Sequence, residues 1–218
     1  MDPDLIIPLG IAAFIILIFT GYAYGKRRIE AFQRFARRKG VSFTKKADLS
    51  SLNQFNGLEL IPENTINTVS NIIQGNVDGI SVMICDVRIT KLTGNTSMPT
   101  HQNGHTVAIL QGDQIDLPFF TMYPANVIYK MLRTLGKQSI AFPSHPEFSD
   151  TYVLKGDDEN AVRKSFHDQA VSYLINHKEL SIEGRGNRLL YFRFGKSIKP
   201  GELNSFLSEG IAVFKLFE

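Results

Sequence analysis

LSIEGRGNRLLYFRF, residues 180–194, is the stretch that says most about the fold of this chain. Its apolar ends, 180–183 and 189–194, are predicted to be strands. The Gly-Arg-Gly-Asn run at 184–187 is predicted to be the turn between them. Strands joined by so short a turn pair antiparallel, because a parallel pair needs a long crossover. No helix follows these glycines, so they are not a nucleotide-binding loop.

The same pattern recurs along the chain and predicts a mostly antiparallel sheet. Residues 72–74 and 80–89 flank a second predicted turn at 75–79, and the polar segment 90–105 is predicted to be a loop. Further strands are predicted at 41–44, 106–110, 117–123 and 151–154. Helices are predicted at 26–39, 48–56, 126–134, 159–176 and from Pro200 onward. Hairpins separated irregularly by helices indicate an α+β fold, not a doubly wound parallel one.

Short motifs in the last third carry a resemblance. They are Glu147-Phe148, Tyr152-Val153-Leu154, Gly156-Asp157-Asp158, Ile182-Glu183-Gly184 and Leu189–Phe194, together with Arg37-Arg38-Lys39-Gly40 before Val41-Ser42-Phe43. With these motifs the chain resembles a broad group of small bacterial membrane-anchored proteins of unknown function. The resemblance implies one N-terminal transmembrane helix followed by a soluble α+β domain. It supplies no catalytic residues.

The segment from Leu5 to Tyr24, LIIPLGIAAFIILIFTGYAY, contains 20 residues without a charge. A helix of this length crosses about 30 Å of hydrocarbon at about 1.5 Å per residue. A signal peptide would carry positive charge before its apolar run, whereas Asp2 and Asp4 precede this one. A buried core helix would show a polar face. We therefore predict a retained transmembrane anchor within residues 1–25.

Charge is distributed unevenly and predicts the orientation of the anchor. Residues 1–25 carry a net charge of −2, residues 26–46 carry +8, and residues 47–218 carry −3. Residues 26–46, predicted to be a juxtamembrane helix and a linker, are called the basic collar. Lysine and arginine are enriched on the cytoplasmic flank of membrane helices. We therefore expect an inner-membrane protein with its N-terminus outside and the 47–218 domain in the cytoplasm.

The collar begins with a predicted helix whose bases surround an apolar stripe. Ile29, Phe32, Phe35 and Ala36 recur at helical spacing. The stripe could lie on lipid or pack on the domain, and packing is favoured for the phenylalanines. The candidate contacts to lipid head groups are Lys26, Arg27, Arg28, Arg34, Arg37, Arg38 and Lys39. Because these bases adjoin the predicted anchor, the lipid bilayer is a better partner for them than nucleic acid.

No catalytic, cofactor or metal site is predicted. His101 and His105 are four residues apart, but they fall in the polar 90–105 segment, where helical spacing has no meaning. Cys85 lies in the apolar run ISVMICDVRI and is predicted to be a small buried hydrophobe. The acids at 157–159 are predicted to cap the following helix, since neighbouring side chains point apart. With only this one cysteine, the chain forms no internal disulfide.

Three functions remain open at this point. The first is a membrane-tethered cytoplasmic interaction module, for example an accessory subunit of a membrane complex with a protein partner in or at the membrane. The second is a lipid-surface sensor that acts through the basic collar. The third is an enzyme whose site is assembled from scattered residues. The first is preferred, because the recognisable patterns are caps, turns and apolar stripes.

Overall fold

The computed structural model describes residues 3–48, 52–60, 66–90, 102–127 and 139–218. Its helices are α1 (Pro3–Lys39), α2 (Pro146–Thr151), α3 (Glu159–Ser165), α4 (Asp168–Asn176) and α5 (Leu203–Lys215). Its strands are β1 (Ser42–Ala47), β2 (Ile66–Val77), β3 (Ile80–Thr90), β4 (Gln102–Gln111), β5 (Leu117–Pro124), β6 (Tyr152–Gly156), β7 (Leu180–Gly186) and β8 (Arg188–Arg193). Short 3-10 turns lie at Asn53–Phe55, Ala125–Val127 and Pro200–Glu202.

These strands form one sheet in the order β1-β2-β3-β4-β8-β7-β5-β6, and every neighbouring pair is antiparallel. The predicted α+β class with a mostly antiparallel sheet is confirmed. The hairpin at 180–194 is also confirmed, since β7 pairs with β8 from Leu180↔Arg193 to Arg185↔Arg188. Gly186 has a φ of 56°, a conformation that favours glycine and lets the chain reverse within two residues.

The sheet buries both of its faces, and β3 shows how. Val82 and Ile84 point to the face covered by α1 and α5, where they join Phe32, Phe206 and Phe214 in the larger core. Their neighbours in sequence point the opposite way, as alternation along a strand requires. The smaller core on that second face contains Met83, Cys85, Leu52, Phe55, Leu58 and Leu60.

One predicted helix is two helices. The segment predicted as continuous over 159–176 is interrupted at Phe166 and His167, between α3 and α4. His167 has an extended backbone, and its ring Nδ1 accepts a hydrogen bond from the backbone N–H of Ala170, so it caps the start of α4. The apolar stripe continues through the break because Phe166 is buried, which explains why periodicity alone predicted one helix.

Other boundaries also differ from prediction. The predicted loop at 90–105 is wrong at its ends, because Thr90 belongs to β3 and residues 102–105 belong to β4. Strand β2 spans 12 residues, far beyond the predicted 72–74. Of the helix predicted at 48–56, the structure shows one 3-10 turn, and residues 49–51 lie outside the described residues. Of the helix predicted at 126–134, positions 128–134 lie outside them as well.

Helix α1 runs without interruption from Pro3 to Lys39 and ends at Gly40, whose φ is 68°. The predicted anchor and the first part of the basic collar therefore belong to one helix. The structure describes the side chains of α1 except those at positions 3–10, 12 and 13. Within what is described, no helix is long and apolar enough to cross a membrane. The transmembrane anchor thus stays a prediction.

Candidate functional site at the junction of the first helix and the sheet

The second half of α1 packs against the sheet. Phe32, Phe35 and Ala36 are buried to 98% or more and belong to the larger core, with Val41 and Phe43 packed at its edge. The interpretation that the apolar stripe contacts the domain is confirmed for these residues. The helix that carries the predicted anchor is therefore continuous with the domain core, with no linker between them.

An ion pair fastens the same helix to β3. The guanidinium of Arg28 donates from Nε to Oδ2 of Asp86 and from Nη2 to Oδ1, both at 2.6 Å. Two parallel bonds of this kind match the planar fork of arginine to a carboxylate. The Arg28 side chain is 9% exposed and that of Asp86 is 15% exposed. The pair is thus largely removed from water. Opposite charges attract each other more strongly in such an environment than in water.

Neighbouring polar groups complete the hydrogen bonds of this pair. Arg28 Nη1 donates to the carbonyl oxygen of Ile198 at 2.6 Å, and Nη2 also donates to the Thr106 hydroxyl at 2.9 Å. The Thr106 hydroxyl in turn donates to Asp86 Oδ1 at 2.8 Å, and Asn71 Nδ2 donates to Asp86 Oδ2 at 2.8 Å. A buried pair supported in this way is strongly sensitive to the loss of either partner.

The environment of Arg28 favours its charged form. Burial alone would lower the pKa of the guanidinium, but its hydrogen bonds and attraction to Asp86 raise the pKa above its ordinary value. The ring of Phe32 lies 5.0 Å from the guanidinium carbon and adds a cation–π contact. Arg28 therefore acts as a charged clamp between α1, β3 and the segment that precedes α5.

This role corrects one part of the predicted lipid-contact set. Arg28 is 7% exposed and is occupied by Asp86, so its guanidinium is not on the surface of the helix. The other six predicted contacts are all exposed. They are Lys26, Arg27, Arg34, Arg37, Arg38 and Lys39.

Of the histidine pair considered for metal binding, the structure describes His105. His105 is buried in β4 with its ring edge toward Phe192 and Phe194, which corrects its predicted position in a loop. His101 lies outside the described residues. A further histidine, His145, has its Nε2 2.9 Å from Oδ1 of the exposed Asp168. Within the described ranges, no group of three or more His, Cys, Asp or Glu residues could hold a metal ion.

Two structural interpretations are confirmed. Cys85 is fully buried, and burial raises the pKa of its thiol well above the usual range, which favours the unreactive form. Asp158 caps α3, since its carboxylate accepts a hydrogen bond from the backbone N–H of Ala161 at 3.0 Å. The predicted absence of catalytic and cofactor residues stays a prediction.

Glu183 on β7 is a buried acid whose role the sequence pattern does not indicate. The residue is 1% exposed, and its carboxylate accepts hydrogen bonds from the backbone N–H groups of Glu59 and Leu60 at 2.8–2.9 Å. Burial raises the pKa of Glu183 to about 7, although these hydrogen bonds oppose the shift. Glu183 thereby ties the segment 52–60 to the second face of the sheet.

The fold is similar to one seen before. The crystal structure of the mycobacterial trehalose monomycolate transport factor A, TtfA, matches with a TM-score of 0.55 over 89% of this chain and 92% of that chain. The two sequences are 14% identical, so the similarity shows the fold alone. No protein-family model and no curated protein sequence matches this chain. Membership of the broad group of membrane-anchored proteins stays a prediction.

Proposed function

We propose that this protein is a membrane-tethered interaction module, held at the cytoplasmic face of the inner membrane in a fixed orientation. The observation that carries the proposal is the continuity of α1. The helix runs from the predicted anchor into the core, where Phe35 is buried and Arg28 is paired with Asp86. A domain joined to its anchor by a packed helix presents one defined surface to its neighbours.

The exposed apolar side chains in the first part of α1 support the tether. Nine large apolar side chains between residues 11 and 24 are 56–72% exposed. Soluble proteins rarely expose apolar patches larger than a few hundred Å², and larger ones mark membrane or protein contacts. Tyr22 and Tyr24 lie at the end of this stretch, where aromatic rings prefer the membrane interface.

TtfA, to which the fold is similar, is named as a transport factor. We take this name as support for the accessory-subunit form of the proposal. The partner would then be a protein in or at the membrane, contacted by the domain that α1 orients.

The test is affinity purification of the full chain from membranes solubilised in a gentle detergent, followed by identification of the proteins that remain bound. A matched control replaces residues 5–24 with an unrelated transmembrane helix of equal length. We expect a membrane protein to co-purify with the natural chain, and its retention by the control would assign the contact to the domain. A chain released from membranes by alkaline carbonate without detergent would contradict the tether.

A lipid-surface sensor is the second candidate, and the exposure of six collar bases favours it. Each base near an anionic surface contributes about 1 kcal/mol to binding. Affinity purification of the partner with the full chain reconstituted in liposomes, with and without anionic lipid, distinguishes this function. We expect a sensor to change its partner binding with lipid composition, whereas a simple tether would not.

A further inference from the structure

A cleft opens where α1 leaves the sheet, next to the Arg28–Asp86 pair. Its volume is about 490 Å³, within the range of ligand sites in proteins. The α1 side includes Gly21 and Gly25, one helical turn apart, and a Cβ at either position would meet no atom of the described residues within 4 Å. Two glycines at this spacing leave the helix backbone open toward the cleft.

The sheet side of the cleft is cationic. Lys45 and Lys46 of β1 and Arg88 of β3 line it, and all three side chains are exposed. The structure records no ion pair between any of them and a described carboxylate. Asp86 also lines the cleft, but its negative charge is neutralised by the ion pair with Arg28. Three positive charges therefore remain available to an anion.

The register of the strands explains why these charges gather here. Lys46 pairs with Ser70, and Ser70 pairs with Asp86, so the three residues form one row across β1, β2 and β3. Arg88 lies two positions beyond Asp86 and therefore on the same face of β3. This face is apolar at Ile84, within the core, and becomes charged toward the cleft.

The wall of the cleft contains an unsatisfied acceptor. Asn71 lies at a β-bulge with a φ of 51°, a conformation that is uncommon for a residue other than glycine. The residue is 7% exposed, and its Nδ2 donates to Asp86, whereas Oδ1 receives no hydrogen bond from any described residue. A buried polar atom without a partner requires an explanation, and a donor supplied by a ligand or its water is one.

We propose that this cleft binds the phosphate-bearing head group of an anionic membrane lipid. Lys45, Lys46 and Arg88 would contact the phosphate, and the Asn71 wall would face head-group hydroxyls. A free phosphate ester shares this chemistry. The position favours the lipid, because Gly21 lies within the predicted membrane segment and Gly25 directly after it. The lipid assignment rests on the tether proposed above, whereas the anion chemistry of the cleft does not.

Native mass spectrometry of the full chain in non-ionic detergent tests the site. Phosphatidylglycerol is the anionic probe, phosphatidylcholine is the zwitterionic probe, and glycerol 3-phosphate and inorganic phosphate are soluble competitors. We expect one phosphatidylglycerol to bind saturably and at least about tenfold more tightly than phosphatidylcholine. Glycerol 3-phosphate should compete only at much higher concentration, because it lacks the membrane-embedded part of the lipid.

Three variants separate the cleft from general electrostatics. K45Q/K46Q/R88Q should weaken phosphatidylglycerol binding by on the order of 100-fold, at about fivefold for each base. R34Q/R37Q/R38Q removes the same charge from α1 outside the cleft and should change binding by less than about threefold, because in detergent solution salt screens charges that do not contact the head group. G25L changes no charge, fills the open side of the cleft and improves helix propensity, so it should weaken binding without unfolding the helix.

Equal binding of the two lipids, equal losses in the two triple variants, or unchanged binding in G25L would overturn the proposal. Competition by glycerol 3-phosphate at the same concentrations as the lipid would overturn the lipid assignment in favour of a soluble phosphate. The result is independent of the partner test. Phosphatidylglycerol binding without a retained partner would support the lipid site and contradict the interaction module.

Discussion

Arg28 and Asp86 are 58 residues apart in sequence, yet they form a two-point ion pair in which both N–O distances are 2.6 Å. One residue lies on the helix that carries the predicted anchor, and the other lies on a central strand of the sheet. The pair therefore couples the position of the helix to the domain. A displacement of α1 relative to the sheet would have to break this ion pair and unpack the buried Phe32 and Phe35.

The first prediction concerns the stability provided by this pair. R28M should destabilise the full chain by about 3 kcal/mol, because Asp86 is left largely buried and without its charge partner. R28M/D86N should recover part of that loss, since the unpaired charge is gone. Urea unfolding in detergent measures both variants. R27M is the matched control, because Arg27 is exposed on the same helix, and a loss equal to that of R28M would contradict the clamp.

The second prediction is a pH dependence caused by Glu183. Its pKa is about 7 in the folded chain and has an ordinary value of 4.5, so folding favours the protonated form. The stability that this preference contributes is fully present below pH 4.5 and is lost as pH rises to about 7. At about 1.4 kcal/mol per pKa unit, the change is about 3 kcal/mol.

E183Q should remove this dependence, because the amide does not ionise while its carbonyl oxygen can still accept from Glu59 and Leu60. Urea unfolding of the full chain between pH 4.5 and 7.5 provides the comparison. E147Q, an exposed acid on α2, is the control and should follow the natural chain. Parallel stability curves for E183Q and the natural chain would contradict the raised pKa.

The third prediction explains the glycine in the Ile182-Glu183-Gly184 motif. A Cβ at Gly184 would lie 2.7 Å from Cζ of Phe120 and 2.9 Å from Cδ1 of Leu117, both in the buried core. G184A should therefore lower the free energy of unfolding by about 2 kcal/mol through overpacking. Thermal unfolding measures this effect. G201A, where a Cβ would meet no atom within 4 Å, should be close to neutral, and similar losses in both variants would refute the steric explanation.

Local patterns predicted much of this fold, and contacts distant in sequence account for most of what was missed. The hairpin at 180–194 was predictable because both strands and the turn lie within 15 residues. The Arg28–Asp86 pair depends on which strand faces α1, and periodicity does not contain that information. One signal was present, since Asp86 continues the inward alternation of Val82 and Ile84. An acid in an inward position requires a partner.

The candidate site shows the same contrast between local patterns, which were predictable, and contacts distant in sequence, which were not. Seven collar bases were predicted to contact lipid head groups, and six of them are exposed, whereas the burial of Arg28 depends on a partner 58 residues away. Glu183 was included in a predicted strand, but its burial results from the segment 52–60, which covers the second face of the sheet. The cleft beside α1 involves residues 21, 45 and 88, which only the strand register and the path of the helix bring together.

The last prediction concerns the side of the membrane on which the domain lies. Because Phe32 and Phe35 are buried against the sheet, the domain must lie on the same side as the basic collar. The collar carries +8 against −2 for residues 1–25, so it should remain in the cytoplasm. Alkaline phosphatase, active only outside the cytoplasm, should therefore be inactive when fused after the exposed Glu218. A variant with Asp2 and Asp4 changed to lysine and the six exposed bases of α1 changed to glutamine should gain phosphatase activity. High activity in the natural chain would reverse the assigned orientation.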